Sequence, residues 1–84
     1  MSQPLTVLLF GRLAERFGRQ ISVAVEGPLS VAELRQRIVA EQGDAARELL
    51  EAHVRPALDR QLVGEDTLVA AGAEIAFLPP FSGG

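Results

Sequence analysis

The chain contains no cysteine, no tryptophan, no tyrosine and no lysine. Without cysteine there is neither a disulfide framework nor a thiolate for a metal, so burial of apolar side chains has to hold the fold together. The same absence is compatible with a reducing compartment, and the cytoplasm is the expected location. Without lysine there is no ε-amine for Schiff-base chemistry or for isopeptide chains built on the protein itself; all eight basic residues are arginine. They face 11 acidic residues, giving a net charge of −3. No basic field exists to displace counterions from a nucleic-acid backbone, and nucleic acid is not an expected partner. Long hydrophobic runs are missing too. MSQPLTVLLF has no basic start, and its apolar part is far shorter than the roughly 20 residues of a membrane helix, so neither a signal peptide nor an anchor is expected. The single histidine, His53, has no second His or Cys with which to share a metal, and no metal site is expected.

What is present is a short chain rich in apolar residues: 84 residues, 48% hydrophobic. That suits one small domain rather than disorder. LTVLLF, residues 5 to 10, reads as a central strand stopped by Gly11. Leu13 and Phe17 share one side of a helical turn, and Gly18 reverses the chain. Ile21, Val23 and Val25 then alternate with polar or small residues, as on a half-buried strand. Gly27-Pro28 breaks it. Ser30 and Glu33 have capping-box spacing, and Val31, Leu34 and Ile38 follow as one apolar helical stripe, with Arg35, Arg37 and Glu41 expected to turn elsewhere, until Gly43. Residues 44 to 53 predict a second, shorter helix with Asp44 as N-cap. VRPALD reads as an edge strand because Pro56 lacks an amide donor. Asp59-Arg60 turns it, and residues 74 to 79, EIAFLP, form the last strand.

The order β-β-α-β-β predicts an α+β domain over residues 1–78: a mixed β-grasp sheet with one main helix on one face and a short second helix, the first and last strands adjacent in the centre. If Val7, Leu9, Val23, Val25, Ile75 and Phe77 face the helix, a period of two sends Leu8, Phe10, Ala76 and Leu78 to the other face, with Leu62 beside them. A free sheet face is normally polar. This apolar surplus predicts either cover from the second helix or the 60s loop, or a docking partner.

Residues 79–84, PPFSGG, form an expected flexible tail. Pro79 and Pro80 make its root project, and six residues reach at most about 20 Å. Gly83 and Gly84 carry no side chains and can thread a narrow channel, bringing the α-carboxylate to a reactive centre in another protein. A carboxylate becomes an electrophile once ATP converts it to an acyl-adenylate, and a sulfur nucleophile then yields a thiocarboxylate. Glu65-Asp66 reads as a solvated turn, Arg12, Arg16 and Arg19 as a solvated rim, and Ser82 has no neighbouring base to make it a nucleophile.

With LLFGRLAERFG near the start, ALDRQLV and Gly72 in the second half, and above all EIAFLPPFSGG at the end, the sequence resembles the family of molybdopterin synthase small subunits, ubiquitin-like sulfur carriers of molybdenum-cofactor synthesis. The resemblance implies that Gly84 is adenylated by an E1-like enzyme that consumes ATP, then loaded by a sulfur donor protein. It further implies that Pro79, Pro80, Phe81, Ser82, Gly83 and Gly84 insert into a large synthase subunit, in a heterotetramer, where sulfur passes to cyclic pyranopterin monophosphate. On this reading the chain holds no permanent cofactor and is not an enzyme alone. Its partner face is Leu8, Phe10, Leu62, Ala76 and Leu78. Asp59 stands where that family often has Asn, Gly11 where Ala is common, and Ala73 where an Asp usually follows the turn glycine. Three other functions use parts of the same pattern: a thiamine-pathway sulfur carrier, a protein modifier joined through Gly84 to lysines, and a β-grasp interaction module with incidental glycines.

Overall fold

Alternation along the first strand sets the architecture. In β1 (Gln3–Leu9), Leu5, Val7 and Leu9 are buried, while Leu8 lies on the opposite face. The short helix α1 (Gly11–Phe17) buries Leu13 at one end of the core, and β2 (Gln20–Val25) returns antiparallel with Val23 opposite Leu5 and Ile21 opposite Val7. The computed structural model describes residues 3–51 and 53–79.

Strand β3 (Leu29–Ser30) leads into α2 (Val31–Gln42), followed by a 3-10 helix (Asp44–Leu50). Then come β4 (Arg55–Leu58), β5 (Gln61–Leu62), β6 (Leu68–Val69) and β7 (Glu74–Leu78). Five strands form one sheet in the order β2-β1-β7-β4-β5, and β3 pairs with β6 in a separate ribbon. First and last strands run parallel and adjacent, Val7 beside Ile75 and Leu9 beside Phe77. This is the β-grasp arrangement: α2 lays Val31, Leu34 and Ile38 into the same core as Leu5, Val7, Val23, Ile75 and Phe77.

The start of α2 is closed by both halves of a capping box. The Ser30 hydroxyl accepts from the Glu33 amide at 3.1 Å, and the Ser30 amide donates to the Glu33 carboxylate at 2.9 Å. The Ser30 backbone bond, and after it the Ser30 side chain, hold the Glu33 carboxyl below the ordinary carboxylate range. A group that binds its proton less readily in the fold than in the unfolded chain stabilises the fold above that range. The contribution fades as pH falls through the range towards the lowered value. Glu33→Gln keeps an oxygen that accepts from Ser30 but does not ionise, so it should flatten the fall of Tm between roughly pH 5 and pH 3. Thermal melts across that window check this; an unchanged slope would contradict it.

Four expectations about local structure are corrected. Strand β4 is not at the edge: it lies between β7 and β5. Pro56 is tolerated because a residue's amide and carbonyl point to one side of a strand, and its carbonyl accepts from Val63 at 3.1 Å, on the β5 side. The missing donor therefore faces away from β7, towards an edge strand of two residues. The second helix is 3-10 and ends at Leu50, and its N-cap is Gly43; Asp44 makes no side-chain cap and lies 3.7 Å from Arg47 instead.

Arg35 is the third correction. It is 5% exposed and lies within the apolar stripe. Its guanidinium forks onto Glu65 at 2.9 and 2.8 Å, donates to the carbonyls of Leu49, Glu51 and Val54, and stands 5.2 Å from the centre of the Phe77 ring. Glu65, the fourth, is thus a structural counter-ion rather than a free turn residue. Together they tie α2 to the 3-10 helix and to the loop before β6. Arg37, as expected, faces outward; it donates to the Ala24 carbonyl at 2.7 Å and occupies part of the open edge of β2.

Candidate functional site: an apolar sheet face that leads into the tail

The outer face is built by register. Leu8 stands beside Ala76, Ala76 opposite Ala57, and Ala57 opposite Leu62, so one apolar row crosses four strands. Leu78, two residues on from Ala76, extends the row along β7 opposite Arg55, and Phe10 caps the end of β1. On the other side the row gives way to Thr6 beside Glu74. The two central alanines are small and their neighbours large, which leaves a dip of about 330 Å³ among Leu8, Phe10, Ala57, Ala76 and Leu78, with Arg60 and Glu74 as its charged members.

The predicted face residues therefore come together as period two requires. Phe10 is 44% exposed and Leu62 57% exposed, while Leu8, Ala76 and Leu78 are half-buried. Intramolecular cover comes from neither the second helix nor the 60s loop. The 3-10 helix packs against α2, with Ala46 and Leu49 in the main core. The 60s loop also meets α2, through the Thr67 and Glu65 carbonyls that accept from Val31 and Ala32. Both lie on the helical side of the sheet.

Ala57, Arg60 and Glu74 belong to the face although sequence reasoning did not pick them. Ala57 had a readable signal, because it alternates with Pro56 and Leu58 in β4. Arg60 owes its position to the β4–β5 turn, where Asp59 and Arg60 take φ of 51° and 72°. Two successive left-handed residues make the tight hairpin turn whose twist matches its strands. Aspartate tolerates this conformation, so the Asp59 departure leaves the turn intact.

Pro79 is half-buried and sits against Gly11. Gly11 has φ +60°, a conformation open to glycine and strained for alanine. Pro80, Phe81, Ser82, Gly83 and Gly84 lie outside the described residues. Elsewhere, exposed His53 pairs with Glu51 at 2.9 Å. Among the described residues, no three His, Cys, Asp or Glu side chains are grouped to hold a metal, and no helix is long and apolar enough to cross a membrane.

Solved structures share this architecture. SAMP1 from Haloferax volcanii is 29% identical with a TM-score of 0.74, over 96% of this chain and 99% of that one. Small archaeal modifier protein 1 from H. volcanii is 25% identical with a TM-score of 0.73, over 94% and 99%. A chain of the protein–protein complex of subunits 1 and 2 of molybdopterin-converting factor from Helicobacter pylori 26695 is 23% identical with a TM-score of 0.65, over 98% and 100%. No curated protein sequence gives a significant match. The ThiS family matches residues 7–84, which takes in the end of β1 from Val7, all of β7, the residues of the outer face and the Gly-Gly end. Helix-backed sheet, apolar outer face and terminal glycines thus fall within one match, and the chain belongs to the ThiS family of ubiquitin-like sulfur carriers.

Proposed function

We propose that the protein is the sulfur-carrier small subunit of a molybdopterin synthase. Gly84 acts through its terminal carboxylate: an oxygen attacks the α-phosphate of ATP in an E1-like enzyme, and pyrophosphate leaves. The outer sulfur of a donor protein's persulfide then displaces AMP from the acyl-adenylate, and a thiol reductant attacks the donor sulfur of the resulting acyl disulfide, which leaves a thiocarboxylate on Gly84 and a disulfide on the donor. In the large subunit this sulfur passes to the pterin precursor, cyclic pyranopterin monophosphate, and water restores the carboxylate. Residues of the large subunit carry out that transfer, and this chain delivers the group; the cytoplasm is the proposed site.

The observation that carries the reading is continuity. Strand β7 contributes Ala76 and Leu78 to the apolar face and passes directly into Pro79 and the tail, so a protein that covers the face is placed to take the tail. The H. pylori likeness, a complex of subunit 1 with subunit 2, supports a second subunit as that protein. Intact-mass measurement of the protein from its native cell tests the chemistry. A fraction with one terminal oxygen replaced by sulfur is expected during active cofactor synthesis, and a mass that stays at the all-oxygen value would overturn the proposal.

The likeness to small archaeal modifier protein 1 favours a second reading, in which the activated Gly84 carbonyl is taken by a lysine amine of another protein. Isopeptide-linked adducts in the cell would mark it, and a sulfur-loaded terminus without adducts would leave the carrier reading alone.

A further inference from the structure

The two edges of the five-stranded sheet are unlike. At one stands β5, two residues long and too short to template another strand. At the other stands β2, six residues, QISVAV, with no charge, no proline and no glycine. Uncharged strands rich in β-branched side chains pair readily with their own kind wherever an edge is left open.

Register shows which backbone groups of this edge are free. The Leu9 amide donates to the Arg19 carbonyl at 2.9 Å, whereas the Pro4 carbonyl accepts from Gly72 and the Thr6 amide donates to Ala73, on the β7 side. Leu5 and Val7 therefore turn towards β2, where they meet Val23 and Ile21. In an antiparallel ladder the alternate residues point the other way, so the exposed Gln20, Ser22 and Ala24 direct their amides and carbonyls outward. One of these groups is taken. The Ala24 carbonyl accepts from a guanidinium nitrogen of Arg37 at 2.7 Å, and the Glu41 carboxylate, one turn further along α2, lies 3.9 Å from that same nitrogen.

We propose that β2 is a pairing edge for a second copy of this chain, and that Arg37 is the guard that keeps it closed. The occupant follows from self-complementarity. With Ser22 opposite Ser22 of a second copy about a twofold axis, Gln20 meets Ala24 and Ile21 meets Val23. Every outward amide then faces an outward carbonyl, and no like charges oppose one another along the strand. This register needs the Ala24 carbonyl of each copy to accept from the Gln20 amide of the other, and Arg37 already sits on that carbonyl. The inference is independent of the carrier reading, because neither the outer face nor the tail enters it.

Sedimentation equilibrium on the full chain tests the guard. The parent should stay a monomer up to about 1 mM, while Arg37→Ala should reach half dimer on the order of 0.1 mM or below. Alanine suits an exposed helical position, so the variant keeps its fold. Adding Ser22→Lys to it places two cations opposite each other at the centre of the pair and should return it to monomer, as should adding Ser22→Glu; mixing the two double variants should restore a dimer. Amide exchange reads the same surface by position. At high concentration of Arg37→Ala, exchange should slow at Gln20, Ser22 and Ala24 and stay as it was at Ile21 and Val23, which are already bonded to β1. An Arg37→Ala protein still monomeric at about 1 mM would overturn the proposal, as would a dimeric parent or a dimer that survives Ser22→Lys.

Discussion

Arg35→Ala is expected to destabilise the domain by about 3 kcal/mol. The mutation removes a charge that is already compensated, so what it costs lies in the groups left behind. Carbonyls of Leu49, Glu51 and Val54 lose their donors, Glu65 loses its counter-ion, and the Phe77 ring loses the cation over its face. Glu65 is 49% exposed and can turn to water, but Leu49 and Val54 are buried. For 84 residues the whole stability is roughly 4–12 kcal/mol, so the loss takes a quarter or more of it. A Tm drop of about 12–24 °C should follow. Glu65→Ala should cost less, about 2 kcal/mol, since Arg35 keeps its three carbonyl partners. Urea unfolding at constant m-value measures both. A Glu65→Ala loss exceeding that of Arg35→Ala would show that the ion pair, and not the carbonyl latch, holds the 3-10 helix in place. Hydrogen exchange should quicken in residues 44 to 58 of the Arg35 variant and much less in β1 and β7.

That the latch escaped a reading of the sequence has a physical cause. Position 35 is four residues after Val31 and three before Ile38, so helical periodicity places it on the buried stripe; its charge argued for solvent instead. What reverses the argument is Glu65, thirty residues away in sequence, together with carbonyls freed where the 3-10 helix ends. No local pattern announces a partner at that distance. The edge assignment of β4 failed similarly: Pro56 does lack a donor, but which side of a strand that gap faces depends on its neighbours. Interactions within a few residues, by contrast, were legible. The Ser30–Glu33 box, the Asp59-Arg60 turn, and the sorting of Leu8, Ala76 and Leu78 away from the core all follow from short-range geometry. Once β1 and β7 are neighbours, register alone joins the outward residues into one row.

Deleting Gly84 is expected to abolish sulfur delivery while leaving the fold intact. Among the described residues the last core side chain is Phe77, seven residues before Gly84, so the sheet, the helix and the Arg35 latch are untouched and the urea midpoint should not move. The shortened tail would hold its carboxylate about 3.5 Å from where the partner's groups expect it, and reactions that depend on positioning lose about a hundredfold or more for smaller errors. Ala76→Arg isolates the other half of the proposal. A guanidinium at the centre of the apolar row would be buried unpaired beneath the large subunit at a cost of about 3 kcal/mol or more, a hundredfold or greater rise in Kd, with Gly84 itself unaltered. Titration of each variant with the large subunit, alongside single-turnover sulfur transfer, separates binding from chemistry. The deletion should bind and fail to transfer; the arginine variant should fail to bind, and should recover transfer at high subunit concentration. Should Ala76→Arg bind as tightly as the parent, the outer face is not the docking surface, and the apolar row would need another occupant. Should the deletion transfer sulfur normally, Gly84 is not the loaded residue, whatever covers the sheet.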